Sequence, residues 1–173
     1  LVAQTSVSIS SPDKNITVTA WINSGKQACY KISYHNQPVL KESRLGLTRE
    51  DENFGDELKI VSASTLQLVK DRYELFTGKR RINNYIANKR VVHLQNSNGK
   101  KLDIIFQVSN DGVAFRYFFP DRSNDIKTVK EELTSFHFDT STRAFLQPMQ
   151  VAKTGWNQSN PAYEEHYQQN IPV

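Results

Sequence analysis

The chain of 173 residues reads as an all-β, antiparallel sandwich, and three features say so. Apolar residues recur at every second position in several short runs. Turn-forming residues separate those runs at close intervals. No window of helical length repeats its apolar residues at the spacing an amphipathic helix requires. A period of two sends alternate side chains to opposite faces of a strand, so each such run half-buries itself against a second layer.

The elements follow in order. Ser11-Pro12-Asp13-Lys14-Asn15 turns into a strand in which Ile16, Val18, Ala20 and Ile22 alternate with Thr17, Thr19 and Trp21. Asn23-Ser24-Gly25-Lys26 separates it from a second strand, Ala28 to Tyr34, and His35-Asn36-Gln37-Pro38 turns the chain again. Asn96-Ser97-Asn98-Gly99 divides a strand at Val91 to Gln95 from one in which Leu102, Ile104, Phe106 and Val108 alternate with Asp103, Ile105 and Gln107. After Ser109-Asn110-Asp111-Gly112 the pattern resumes as Val113, Phe115, Tyr117 and Phe119. Asp-Gly between two such runs signals a hairpin, because a tight turn needs residues tolerant of positive φ. From Gln147 onward Pro148, Gly155, Asn157, Ser159, Asn160 and Pro161 break any periodicity. The chain then reaches Asn170-Ile171-Pro172-Val173 with no strand or helix expected to tie it down, which implies a piece of a larger polypeptide.

Composition narrows the function classes. With 38% apolar and 10% aromatic residues the chain falls outside the disordered class and can fill one core. No run approaches the ~20 apolar residues of a membrane-spanning helix. The net charge of +4 is spread over small basic clusters (Lys79-Arg80-Arg81, Lys89-Arg90, Lys100-Lys101) interrupted by Glu50-Asp51-Glu52 and Glu131-Glu132. With no reading motif beside it, that pattern argues against a nucleic-acid partner. The lone Cys29 rules out an intramolecular disulfide, and its alternating surroundings make it a buried free thiol. Leu1-Val2-Ala3-Gln4 fits the stub of a secretory signal.

No self-sufficient catalytic motif is visible: neither His-Glu-x-x-His nor Gly-x-Ser-x-Gly, neither a Gly-rich phosphate loop nor a calcium-binding EF-hand. The four histidines lie far apart, and nothing in the spacing of the acids selects the carboxyl pair that glycoside hydrolysis needs. One cluster stands out, Tyr163-Glu164-Glu165-His166-Tyr167. Its carboxylates offer oxygen ligands to a hard cation and its tyrosines offer faces to a sugar; equally, they are solvated acids beside packed rings. Calcium takes 6 to 8 oxygen ligands, so this cluster contributes to a site and does not build one.

Several segments together resemble the amino-terminal domain of glycoside hydrolase family 97, a family of α-glucosidases and α-galactosidases. They are Ser11-Pro12-Asp13, Leu45-Gly46-Leu47, Phe54-Gly55-Asp56, Gly78-Lys79-Arg80-Arg81 with Asn84-Tyr85, Asp111 to Tyr117, Glu131 to Thr134 and Tyr163 to Tyr167, in the family's order. The resemblance implies a β-super-sandwich like that of galactose mutarotases, spanning residues 1–173 and cut short at its C-terminal end. It implies an N-terminal accessory domain of an exo-acting enzyme on α-linked oligosaccharides, secreted to the periplasm or cell envelope. The catalytic (β/α)8 barrel would follow in the same polypeptide. It further implies calcium at the active site, with Glu164 as the ligand from this domain and Glu165 as the alternative. Residues Gly78 to Tyr85 would then reach the barrel or form a solvated hairpin tip. On its own the fragment would hydrolyse nothing and bind calcium weakly. A second reading is an autonomous carbohydrate-binding sandwich displaying Trp21 or Trp156. A third, a mutarotase-like epimerase, would need a His and a Glu brought together across the sandwich.

Overall fold

A computed structural model describes residues 6–146 and 168–173, and every regular element in them is a β-strand. The chain divides into two compact units, Leu1–His137 and Phe138–Val173. In the first, β1 (Ser6–Ser10), β2 (Ile16–Ile22), β3 (Ala28–Tyr34) and β4 (Gln37–Leu45) form an antiparallel meander in sequence order. A second sheet contains β6 (Lys59–Ala63), β7 (Gln67–Glu74), β8 (Ile82–Gln95), β9 (Lys101–Ser109) and β10 (Val113–Phe118), ordered β10-β9-β8-β6 with β7 also on β8. The 14 residues of β8 serve two partners: its first half pairs with β7 and its second with β6. Short β5 (Leu47–Arg49) pairs with β11 (Val129–Glu132).

The alternation seen in the sequence becomes the core. Val18 and Ala20 of β2, Tyr30 of β3 and Leu45 of β4 share one buried cluster with Val92 and Leu94 of β8 and Leu102, Ile104, Phe106 and Val108 of β9. Two sheets packed face to face are the solution that buries one face of each. Phe115 of β10 joins the layers, its ring 5.6 Å from Tyr30 and 5.8 Å from Phe106. Residues opposite this face, including Trp21, Asp103 and Ile105, lie on the outer side of their strands. The expected all-β antiparallel sandwich is what the chain forms.

Turn chemistry departs from expectation in an instructive way. The β9–β10 hairpin forms with Val113 opposite Val108, yet neither Asp111 nor Gly112 has a positive φ. Four residues, 109–112, make this loop, and a longer loop reverses the chain without left-handed residues. It is closed by Ser109 N–H donating to Gly112 O at 2.9 Å and by Ser109 Oγ–H to Asp111 at 2.6 Å. The tight two-residue turn is instead His35-Asn36, with φ 47° and 63° between paired Tyr34 and Gln37. Gln37 and Pro38 consequently belong to β4 rather than to the turn.

The free side of β4 is covered by the chain after β11. Leu133 N–H donates to Gly46 O at 2.9 Å, Ser135 N–H to Arg44 O at 3.0 Å, and Lys41 N–H to His137 O at 2.9 Å. Such a cover removes the exposed ladder that makes an edge strand sticky. In the second unit, β12 (Arg143–Leu146) pairs antiparallel with β13 (Gln168–Pro172), Ala144 opposite Ile171. The last residues are therefore tied down, contrary to the expectation of an unanchored tail. Gln-Gln-Asn-Ile-Pro shows no apolar alternation, so the backbone ladder carries this strand without a signal in the side chains. The irregular stretch 147–167 lies outside the described residues.

Candidate functional site

Four of the segments that carry the family likeness, those around Gly46, Phe54, Tyr117 and Thr134, converge on one knot. Gly46, between β4 and β5, has φ 137°, and a Cβ there would come within 2.6 Å of Phe54 O. Its amide donates to Tyr117 Oη at 2.8 Å; Tyr117 Oη also lies 2.7 Å from Thr134 Oγ1, and that hydroxyl donates to Glu132 at 2.8 Å. Burial raises the Tyr117 phenol above its ordinary pKa, so it stays protonated and both donates and accepts. Phe54 is buried, and its N–H donates to Leu47 O at 3.0 Å. Arg44 Nη2 donates to Gly55 O at 3.2 Å and pairs with Asp56 at 3.1 Å, while Gln27 Nε2 donates to Asp56 at 2.8 Å. Most of the polar groups named here hold backbone or one another, while Arg44 Nε is buried without a hydrogen-bond partner. These residues shape the fold.

Gly78 to Tyr85 takes a different form. β7 and β8 run as a ribbon from Gln67 opposite Lys89 to Glu74 opposite Ile82. At its end Leu75 N–H donates to Arg81 O at 2.8 Å, Glu74 pairs with Arg81, and Gly78 turns with φ 136° and open space where a Cβ would stand. The register sets Leu68, Ile82 and Ile86 on one face among Lys70, Arg72 and Asn84. All three are exposed, as are Tyr73 and Leu75, and Phe76 is wholly exposed at 101%. A run of large apolar side chains left in water is an interaction surface rather than a core. Gly78 to Tyr85 is thus the tip and return strand of a projecting arm.

A charged cleft lies elsewhere, between the loop 121–127 and the β8–β9 turn. Arg49 donates through Nε and Nη2 to the two oxygens of Asp51, each at 2.8 Å, while its guanidinium stacks 4.6 Å from the Phe119 ring and 5.3 Å from Phe54. Lys127 Nζ bridges Asp51 at 3.0 Å and Asp125 at 3.4 Å. The hydrogen bonds from Arg49 and then Lys127 hold the Asp51 carboxyl down to about 2. On the outer face of the second sheet His93 Nδ1 lies 2.7 Å from Asp103, a His–Asp pair and not the His–Glu pair an epimerase reading needs.

Other residues singled out from the sequence fare unevenly. Glu164, Glu165 and the tyrosines beside them, with Trp156, lie outside the described residues. Trp21 is half-buried and makes no open platform. Cys29 is free and buried, its thiol pushed up to about 11 by burial and then by neighbouring Glu42. Among the described residues no three His, Cys, Asp or Glu group to hold a metal ion, so the calcium expectation rests on Glu164 and the resemblance. No helix among them is long and apolar enough to cross a membrane. The cleft escaped sequence reading; of the arm, only the tip and return strand at Gly78 to Tyr85 were legible, as a hairpin tip or a contact to the barrel, and β7 was missed.

Comparison with known proteins accords with this geometry. The family model described as Glycosyl-hydrolase 97 N-terminal matches residues 9–173. A probable retaining alpha-galactosidase of Streptomyces bingchenggensis (strain BCW-1) is 29% identical over 116 residues, covering 67% of this chain and 18% of that protein. A crystal structure of a beta-arabinopyranosidase superposes with a TM-score of 0.87 at 34% identity, over 96% of this chain and 26% of the other. A glycoside hydrolase family 97 enzyme from Pseudoalteromonas sp. strain K8, in complex with acarbose, shares the fold with a TM-score of 0.74 at 24% identity, over 82% and 22%. The chain spans roughly a fifth to a quarter of the length of these relatives. With its sandwich, its knot of motif residues and a family match over nearly its full length, the chain belongs to the glycosyl-hydrolase 97 N-terminal family.

Proposed function

We propose that this chain is the accessory N-terminal domain of an exo-acting, calcium-dependent glycosidase, working by packing on a catalytic (β/α)8 barrel in the same polypeptide. The observation that carries the reading is the family match over residues 9–173. The β7–β8 arm supports it, because Leu68, Leu75, Phe76, Ile82 and Ile86 present apolar surface that a neighbouring module would cover. The motif knot supports it too: its groups hold loops in place and none is poised for bond cleavage. The domain's contribution is to wall and position a site. Glu164 would supply one oxygen ligand to calcium, whose bound charge would stabilise the reacting sugar electrostatically. The enzyme would be secreted to the periplasm or cell envelope.

α-Galactosides and β-arabinopyranosides are the first substrates to assay, by the names of the relatives; α-glucosides follow. The test is the Glu164→Ala substitution in the full-length enzyme. Turnover should fall by about two orders of magnitude or become dependent on much higher calcium, as the loss of a metal contact does. Unchanged turnover with an unchanged calcium requirement would remove Glu164 from the metal, and hydrolysis by the 173-residue chain alone would overturn the accessory role.

A further inference from the structure

The cleft beside Arg49 has a volume of about 430 Å³. Five basic residues line it (Arg49, Lys100, Lys101, Arg122 and Lys127) against three acids (Asp51, Asp121 and Asp125). The acids are not equally available. Asp51 is bound on both oxygens by Arg49 and again by Lys127, and Asp125 is held by Lys127 and by Ser123 Oγ at 3.0 Å. Lys100, Lys101 and Arg122 have no ion pair of their own within the described residues. Positive charge therefore remains in a concave site after the internal pairs are formed.

Both walls are also fixed in advance. Lys127 fastens the loop 121–127 to Asp51. The opposite wall, the turn 96–100, is fastened through buried Asn96, whose side chain donates to Glu52 at 2.9 Å and to Asn53 O at 3.0 Å while its Oδ1 accepts from Lys100 N–H at 2.8 Å. Adjacent Asp51 and Glu52 thus each anchor one wall: Asp51 is neutralised by Arg49 and Lys127, whereas Glu52, held by neutral amides, keeps its charge and offsets part of that of Lys100. Fixed cations around a cavity bind an anion with little ordering cost, and low-dielectric walls strengthen the attraction. The bond from Arg122 would be of the charge-assisted kind.

We infer that this cleft is an anion-binding site for an oxyanion group, a sulfate, phosphate or carboxylate, contacted by Lys100, Lys101 and Arg122. The group would come either from a free inorganic anion or from an acidic sugar. This assignment is independent of the accessory role proposed above, since it uses only charges within this domain. Asp121, which has no partner among the described residues, sits on the same lining and weakens the site, so the two signs of charge give opposite tests.

The experiment is an NMR titration of the 173-residue chain with sodium sulfate at constant ionic strength, sodium chloride making up the balance. Amides of Lys100, Lys101, Arg122 and Ser123 should shift saturably. Arg122→Gln should weaken sulfate binding about tenfold, the loss expected for one charge-assisted hydrogen bond. Asp121→Asn should tighten it about threefold through removal of like-sign repulsion toward the ligand. Arg80→Gln, on the arm, should change nothing. A parallel titration with galactose 6-sulfate separates the sources: tighter binding than inorganic sulfate assigns the site to acidic sugars, and equal binding assigns it to the free anion. Linear shifts identical to those in chloride alone, or affinities unmoved by both Arg122→Gln and Asp121→Asn, would overturn the inference.

Discussion

Tyr117 and Gly46 stand 71 positions apart in the chain, yet the Tyr117 hydroxyl accepts the Gly46 amide at 2.8 Å. The same hydroxyl meets Thr134 at 2.7 Å, so one oxygen ties β10 to the β4–β5 junction and to the strand-like cover over β4. Tyr117→Phe keeps the ring and removes the oxygen. With a part-buried amide left unpaired, stability should drop by about 1–3 kcal/mol. Urea denaturation checks it; an unchanged midpoint would show that water replaces the hydroxyl at no cost.

Gly46→Ala should be at least as damaging. The φ of 137° is strained for any residue with a Cβ, and that Cβ would meet Phe54 O at 2.6 Å. Backbone is the neighbour, so relief requires moving the buried Phe54 segment. A loss of about 3 kcal/mol follows from strain and clash together. Gly78→Ala shares the positive φ but has open space around it, so it should cost less, and the difference between the two melting temperatures measures the clash.

Asp51 makes stability depend on acid. Its folded carboxyl is held at about 2, below the ordinary 3.8, by hydrogen bonds first from Arg49 and then from Lys127. A depressed carboxylate stabilises the fold above its unfolded pKa. That stabilisation is lost as pH falls from about 3.8 toward about 2, while the unfolded state takes up the proton first. Denaturation midpoints should therefore fall across this window, and Asp51→Asn should flatten that part of the profile. Identical profiles for the two proteins would show that the pair is not coupled to folding.

The core and the arm should answer truncation in opposite ways. Phe106 is fully buried against Phe115, and Phe106→Ala should cost about 3–5 kcal/mol. Phe76 is fully exposed, and Phe76→Ser should alter the stability of the isolated chain by no more than about 0.5 kcal/mol. In the parent polypeptide, where the arm is proposed to pack on a neighbouring module, the same substitution should speed proteolysis between the two. Equal protease resistance would argue that the arm faces solvent.

Much of the sandwich was legible because strand burial is a local pattern. Val18 and Ala20, or Leu102, Ile104, Phe106 and Val108, announce their inward face by alternation, and all are buried. Of the strands that escaped, β1 does alternate, with Val7 and Ile9 buried, but others are polar. β7 (Gln67–Glu74) and β13 (Gln168–Pro172) are held by cross-strand backbone bonds, which leave no apolar period to read. The β9–β10 hairpin was legible with its turn at Ser109 to Gly112; only the positive φ expected there is missing, because the register of Val113 against Val108 sets a four-residue loop that has no need of one. The proposed ligand Glu164 came from the carboxylate cluster at Tyr163 to Tyr167 and from likeness, and it lies outside the described residues.

What belongs to the sequence by itself is the all-β character, the inward residues of the long strands, the buried thiol of Cys29 and the family. Each follows from neighbours along the chain or from ordered motifs. What only the tertiary structure decided is which distant segments meet. Tyr117 on Gly46, Lys127 on Asp51 and Asn96 on Glu52 each join strands or loops separated by tens of residues. Such pairings depend on sheet register and loop closure, which are summed over the whole fold, so no local window of side chains encodes them.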